Sequence, residues 1–93
     1  MMYSRKLHEH EYAQAQVNYL DDGAIILQSY NTYVIIVNPE GWLECTGIYS
    51  RTTIKHIGWF MRELYGLSYY DAKRCWEDNK LFNVHTGEYI ERG

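Results

Sequence analysis

Ninety-three residues with a formal charge of −3 limit what this chain can be. The length suffices for one folded domain, and a composition of 46% hydrophobic and 16% aromatic residues supplies a core without metal or disulfide support. Nine cations against twelve anions, with no basic run, argue against binding to a nucleic-acid backbone, because that affinity depends on neutralised phosphates.

The N-terminal residues 1–11 are charged and lack periodicity, which predicts a mobile lead-in before a single α+β domain over residues 12–93. Their polarity excludes a signal peptide, and no apolar run is long enough to span a bilayer. Cys45 and Cys75 are isolated and lie among apolar neighbours, which predicts buried free thiols in a reducing compartment. We therefore expect a cytoplasmic protein with no membrane association.

Four β-strands joined by tight turns are predicted next. Alternating side chains predict strands over residues 13–20 and 42–49, and apolar segments between tight turns predict strands over 24–30 and 33–38. Connections this short favour an antiparallel meander. The segment Val34–Val37 is apolar throughout, which predicts a central strand that is covered on both faces.

The hydrophobic spacing changes to the helical period after Ser50. It predicts a first helix over Thr53–Tyr65 that ends at Gly66. Ser68 begins a second helix, which ends near Asn79 and has an apolar face of Tyr69, Ala72, Cys75 and Trp76.

Residues 81–84 and 88–90 flank a turn and predict a short C-terminal hairpin. The expected fold is therefore a four-stranded antiparallel meander followed by two α-helices. The first helix packs on one sheet face, and the second helix with the C-terminal segment lies beside it or along a sheet edge. The other face is closed either by the C-terminal part or by a second copy of the chain.

Two motifs within residues 28–66 resemble those of a known group of proteins. Residues 29–34 read Ser-Tyr-Asn-Thr-Tyr-Val, and residues 49–57 read Tyr-Ser-Arg-Thr-Thr-Ile-Lys-His-Ile. The combined pattern, S-Y-x-T-x-V followed by Y-S-x-T-T-x-x-H-I, resembles a small uncharacterised family of bacteriophage and mobile-element proteins. The resemblance implies a setting in which small accessory proteins bind and disable host proteins, including defence nucleases. A hairpin turn and a helix cap also explain the two motifs, and we favour this structural interpretation.

Trp59 is the main candidate for a binding residue. It lies opposite the apolar arc of the first helix, which consists of Ile54, Ile57, Phe60, Met61, Leu64 and Tyr65. A large aromatic side chain among charged neighbours is either covered by a second layer, here the second helix or the terminal hairpin, or exposed to a partner. The predicted partner-binding residues are Trp59, Arg62, Lys55, His56, Tyr70 and Trp42.

We therefore predict a small non-enzymatic accessory protein of phage or mobile-element origin that occupies a surface of a host or phage protein. Inhibition of a defence nuclease, in the manner of anti-CRISPR proteins, is the narrower form of this prediction, and a homodimer is a further alternative.

A single-stranded nucleic-acid-binding module is the second candidate function. Its bases would stack on the sheet aromatics Tyr19, Tyr30, Tyr33, Trp42 and Tyr49. The missing basic groove argues against it. The third candidate is a small enzyme centred on His56, with Glu63 and Ser50 as neighbours.

The four histidines do not match a metal-binding motif. His8 and His10 form an H-x-H, but Tyr12 stands where H-E-x-x-H requires its second ligand, and His56 and His85 lie far away in sequence. We therefore predict no metal, no cofactor and no catalytic residue.

Overall fold

The computed structural model describes residues 2–93, so Met1 of the predicted lead-in lies outside the described residues. Its strands are β1 (Tyr3–Lys6), β2 (Ala15–Tyr19), β3 (Ile25–Ser29), β4 (Thr32–Val37), β5 (Trp42–Cys45), β6 (Lys80–Asn83) and β7 (Tyr89–Glu91). Its helices, α1 (Arg51–Tyr65) and α2 (Tyr69–Glu77), lie between β5 and β6. The predicted α+β class with two helices is confirmed.

All the strands of the described chain form one antiparallel sheet in sequence order, from β1 to β7. The predicted four-stranded meander corresponds to β2–β5, so the sheet extends beyond it on both sides. The last predicted strand is too long, because β5 ends at Cys45. Beyond it the Tyr49 ring folds back over Gly47, where a side-chain carbon would lie 2.5 Å from that ring.

The predicted mobile lead-in is wrong for residues 2–11. β1 pairs with β2 from Tyr3↔Tyr19 to Lys6↔Gln16, and Leu7 is completely buried in the core. Strand β1 has little apolar patterning of its own, so its conformation depends on hydrogen bonding to a strand that lies later in the chain.

The predicted helix ends lie within two residues of the observed ones, and the terminal hairpin agrees with the sequence. The Ser50 side chain accepts the Thr53 N–H, and Gly66 ends α1 with a left-handed φ of 66°. Ser68 and Asp71 form the predicted capping box of α2. β6 and β7 pair at Leu81↔Ile90, which confirms the C-terminal hairpin.

Both helices pack on the same face of the sheet. α1 contacts β3 and β4, whereas α2 contacts β5 and β6. The shared core comprises Leu7, Ala15, Val17, Leu27, Val34, Ile35, Val37, Leu43, Cys45, Ile57, Phe60, Met61, Ala72, Cys75 and Phe82. The expectation that the C-terminal part closes the second face is wrong, because β6 and β7 extend the sheet instead. The central strand is therefore covered by helices on one face only.

The two cysteines are buried free thiols, as predicted. Cys45 lies on β5, and Cys75 lies on α2, which packs against that strand. Burial raises the pKa of both thiols, and that of Cys75 to about 12. Both thiols therefore stay protonated and unreactive at neutral pH.

We expect Leu7→Ala to lower the free energy of unfolding by about 2–5 kcal/mol, because it removes a fully buried side chain from the core. Urea denaturation measures the change. Tyr12→Ala is the control, since Tyr12 is 99% exposed and its removal changes stability by less than about 0.5 kcal/mol. Equal urea midpoints for the two variants would contradict the placement of the N-terminal segment in the core.

Candidate functional site

Helix α1 buries the predicted Ile57, Phe60 and Met61, and Leu64 and Tyr65 of the predicted arc pack against the core, but the buried face also includes polar residues outside that arc. The buried residues are Thr53, His56, Ile57, Phe60 and Met61, spaced by one, three and four positions along one face. The predicted placement of His56 on the exposed face is wrong, because this side chain is 1% exposed. Its Nδ1 lies 2.8 Å from the Oγ of Ser29 on β3. This hydrogen bond compensates for the buried polar ring and connects the helix to the sheet.

The Ser29–His56 pair combines a hydroxyl with an imidazole, as nucleophilic enzymes do. Both side chains are at least 98% buried, so a substrate has no direct access to the hydroxyl. The neighbours suggested by the sequence, Ser50 and Glu63, are engaged elsewhere: Ser50 caps α1, and Glu63 bonds to Arg5 and His8. Desolvation, and then the nearby Lys6 and His10, lower the pKa of His56. The neutral imidazole is therefore the form that the fold accommodates.

Trp59 is partly covered, and the covering segment is one that the sequence did not suggest. The indole stacks on the His10 ring at a centroid distance of 3.6 Å and an angle of 7°. His10 belongs to the loop between β1 and β2. The loop is held against α1 by Glu63, which accepts the His8 N–H at 2.6 Å and pairs with Arg5 at 2.6 Å. The sequence suggested only α2 or the terminal hairpin as the cover of this indole.

A small cleft of about 250 Å³ lies between this loop and α1. It is lined by His8, Glu9, His10, Trp59, Arg62 and Glu63. Among residues 2–93, no group of three or more histidine, cysteine or carboxylate side chains could hold a metal ion. The cleft is also smaller than most small-molecule sites.

The other predicted binding residues do not form one surface. Lys55 and Arg62 are exposed on α1, near Trp59 along the helix. Tyr70 is 70% exposed on α2, where its ring lies 5.8 Å from the Lys73 ammonium group. Trp42 lies on β5, in the sheet layer.

An apolar surface lies on the side of the sheet opposite the helices; the sequence predicted that this face needs a cover but did not show which side chains form it. Leu43 and Cys45 point into the core, so Trp42 and Glu44 alternate onto the face away from the helices. We call this the open sheet face. The strand pairings place on it the apolar residues Ile26, Ile36, Trp42, Leu81 and Ile90 and the polar residues Ser4, Gln16, Asn18, Gln28 and Glu44.

The apolar residues of the open sheet face are separate from the core. None of the five belongs to the core cluster or is among the partly buried hydrophobic residues packed against it. Ile26 and Ile36 are direct cross-strand partners, and Trp42 is a diagonal neighbour of Ile36. Ile36 and Trp42 are partly exposed, and Ile90 is 40% exposed. The helix-free side of the sheet therefore carries an apolar strip over β3–β5, in which Ile26 is buried and Ile36 and Trp42 are partly exposed.

The predicted base-stacking platform does not form on one face. Tyr19 is on the helix side, where it contacts Tyr3 and Arg5, and the Tyr30 ring lies 5.8 Å from His56. Trp42 lies on the open sheet face. The aromatic residues are thus divided between the two sides of the sheet.

The second helix also exposes a tryptophan. Trp76 is 46% exposed, so its predicted place on the apolar face of α2 is wrong, whereas Ala72 and Cys75 are buried as expected. Ala72 and Cys75 complete the contact with the sheet, which leaves the larger Trp76 ring at the margin of the helix layer.

The fold defines a two-layer α+β protein with helices on one side of an antiparallel sheet and an uncovered second side. The chain belongs to a family of unknown function, DUF8033, whose model matches residues 2–78. This match extends from β1 to the end of α2. No curated protein and no solved structure matches the chain. In the part of the chain that the structure describes, no helix has the length and apolarity needed to cross a membrane.

We expect acidification to destabilise the protein through His56. Its folded pKa lies below the unfolded value of 6.5, so the stabilisation is complete above that pH and is lost as the pH falls through the folded pKa. Because a single proton is involved, the free energy of unfolding changes by less than about 1.4 kcal/mol per pH unit. Urea midpoints across this range measure it. His56→Asn should flatten the dependence, and His85→Asn should not, because His85 is exposed. Equal slopes in both variants would contradict this assignment.

We expect His10→Ala to expose Trp59, because His10 provides the stacked ring that covers the indole. Acrylamide quenching of tryptophan fluorescence should increase, and stability should fall by about 1 kcal/mol. His8→Ala is the control, since His8 contacts Glu63 through its backbone N–H, which the substitution keeps. Unchanged quenching in His10→Ala would argue against the stack.

Proposed function

We propose that this protein is a non-enzymatic protein-binding module and that the open sheet face is its interface. The observation that carries the proposal is the apolar strip around Ile36 and Trp42, which lies outside the core on a side that neither helix covers. Partly exposed apolar residues that adjoin one another are typical of surfaces that bind other macromolecules.

Trp42 replaces Trp59 as the proposed anchor. Trp59 packs against the core and stacks on His10, so much of its area is used within the chain. Trp42 is also partly buried, but it is not among the residues that pack against the core. Tryptophan side chains at the centre of an interface are frequent hot spots, because they bury a large area at a low entropy cost.

The surroundings of Trp42 favour a protein partner over nucleic acid. Its strand neighbour Glu44 is anionic and pairs with Arg92, so the strip does not present a cationic groove. Base stacking without phosphate neutralisation gives weak binding. A protein surface with its own apolar centre is a better match for this strip than a nucleic acid is.

The narrower role, a phage or mobile-element accessory protein that inhibits a defence nuclease, stays a prediction that depends on the motif resemblance. A module that acts by covering a surface needs an apolar anchor and no reactive group. The open sheet face with Trp42 supplies the first of these, and the buried Ser29–His56 pair leaves its hydroxyl without substrate access.

We expect Trp42→Ala to abolish partner binding while leaving the fold intact, because the residue lies outside the core. Tagged protein, expressed in a bacterial host, is used for affinity capture, and bound proteins, including untagged copies of the chain, are quantified by mass spectrometry. Trp76→Ala is the matched control, since it removes an exposed tryptophan from the helix layer. The expected result is at least about a tenfold loss of specific capture for Trp42→Ala alone.

Circular dichroism establishes that each variant is folded. Equal loss of capture in both variants, or loss in Trp76→Ala only, would contradict the assignment of the interface to the open sheet face. Absence of any specifically captured protein, including a second copy, would overturn the proposed function.

A further inference from the structure

We propose that the open sheet face binds a second copy of this chain, so that two sheets pack face to face in a symmetric dimer. This inference rests on the proposed function, because it names the partner of the same surface. Three properties of the face support it: its size, its internally satisfied polar groups and its charge.

The size of the face suits a stable dimer. Six spacings of about 4.8 Å make the sheet about 29 Å wide, which agrees with the 30 Å dimension of a molecule that measures 34 × 30 × 23 Å. The sheet therefore forms one broad side of the molecule. A standard interface buries about 800 Å² per partner, which a surface of these dimensions can supply.

The polar half of the face needs no hydrogen bonds from outside. The Asn18 Oδ1 accepts from the Ser4 hydroxyl at 2.7 Å and from the Gln16 amide at 2.9 Å. The Asn18 amide donates to the Gln28 Oε1 at 3.2 Å, and the Gln28 amide donates to the Tyr30 carbonyl at 2.9 Å. Polar groups that already have partners lose little when water is removed. This part of the face can therefore be buried against another apolar or neutral surface.

The charge of the face favours a neutral partner. Among the residues that define this face, Glu44 carries a charge, and it is paired with Arg92. Most of the remaining charged residues lie on the helices and in the loops. Two copies of the chain, each with a net charge of −3, can therefore meet through this face without opposing like charges across its centre. A strongly acidic or basic partner would meet no surface of opposite charge on this face.

The open sheet face also has a shape that can pack against a second sheet. Two antiparallel sheets pack about 10 Å apart, with the inner side chains of each interdigitating. In a two-fold dimer the same patch contacts itself, so Ile36 and Trp42 of one copy pack in the same apolar layer as those of the other. The strip would then become the core of a β-sandwich with the helices on the outside.

Sedimentation equilibrium over a concentration series tests the proposal with the full chain. The expected result is a concentration-dependent rise from 11.1 kDa to twice that mass. Ile36→Lys and Trp42→Ala should each raise the dimer dissociation constant by about thirtyfold or more, because each disrupts the apolar centre. Trp76→Ala should leave the constant unchanged, since that ring is in the helix layer.

The outcomes separate this inference from the proposed function. A wild-type chain that stays at 11.1 kDa up to millimolar concentration overturns the dimer, while Trp42-dependent capture of a different protein leaves the proposed function standing. A dimer that Ile36→Lys and Trp42→Ala both leave intact, with each variant folded by circular dichroism, also overturns the inference, because another surface then forms it. A dimer that both variants weaken supports it.

Discussion

Packing of both helices on the same side of one antiparallel sheet is the constraint on which the rest of this structure depends. The core lies between these two layers, and Ile57 and Phe60 of α1 meet Leu27 and Ile35 of the sheet within it. Both helices of the described chain lie on one side, and its last two strands extend the sheet, so in residues 2–93 neither helix covers the second face. The apolar strip on that face therefore follows from the layer arrangement.

The N-terminal segment has a larger structural role than its composition indicates. Leu7 enters the core, and the loop that follows places His10 on the Trp59 indole. Glu63 fixes this loop through one charged and one backbone contact. The helix surface that looked exposed in the sequence is thus partly covered by residues that precede the first predicted strand. The proposed interface consequently moves from the helix layer to the sheet.

The class of the fold and most of its local boundaries follow from the sequence alone. Alternation and apolar segments between turns indicate β2–β5, and Gly66 and Ser68 indicate helix ends, because these signals depend on neighbouring residues. The sequence does not show the outcome where contacts between distant segments decide it. The polarity of His56 indicated an exposed position, yet the Ser29 hydroxyl makes a buried imidazole acceptable.

Of the six predicted binding residues, the sequence could supply the residue types but not their grouping. Tryptophan, tyrosine and arginine are residue types that suit an interface, but the fold distributes them over both layers. The amino-acid order by itself determined β2–β7, the two helices and their caps, since backbone preferences and capping act over a few residues, whereas β1 depends on its pairing with β2. Only the tertiary structure decided which sheet face the helices cover and which tryptophan is left beside other apolar side chains, because those facts depend on pairing between strands and layers far apart in the chain.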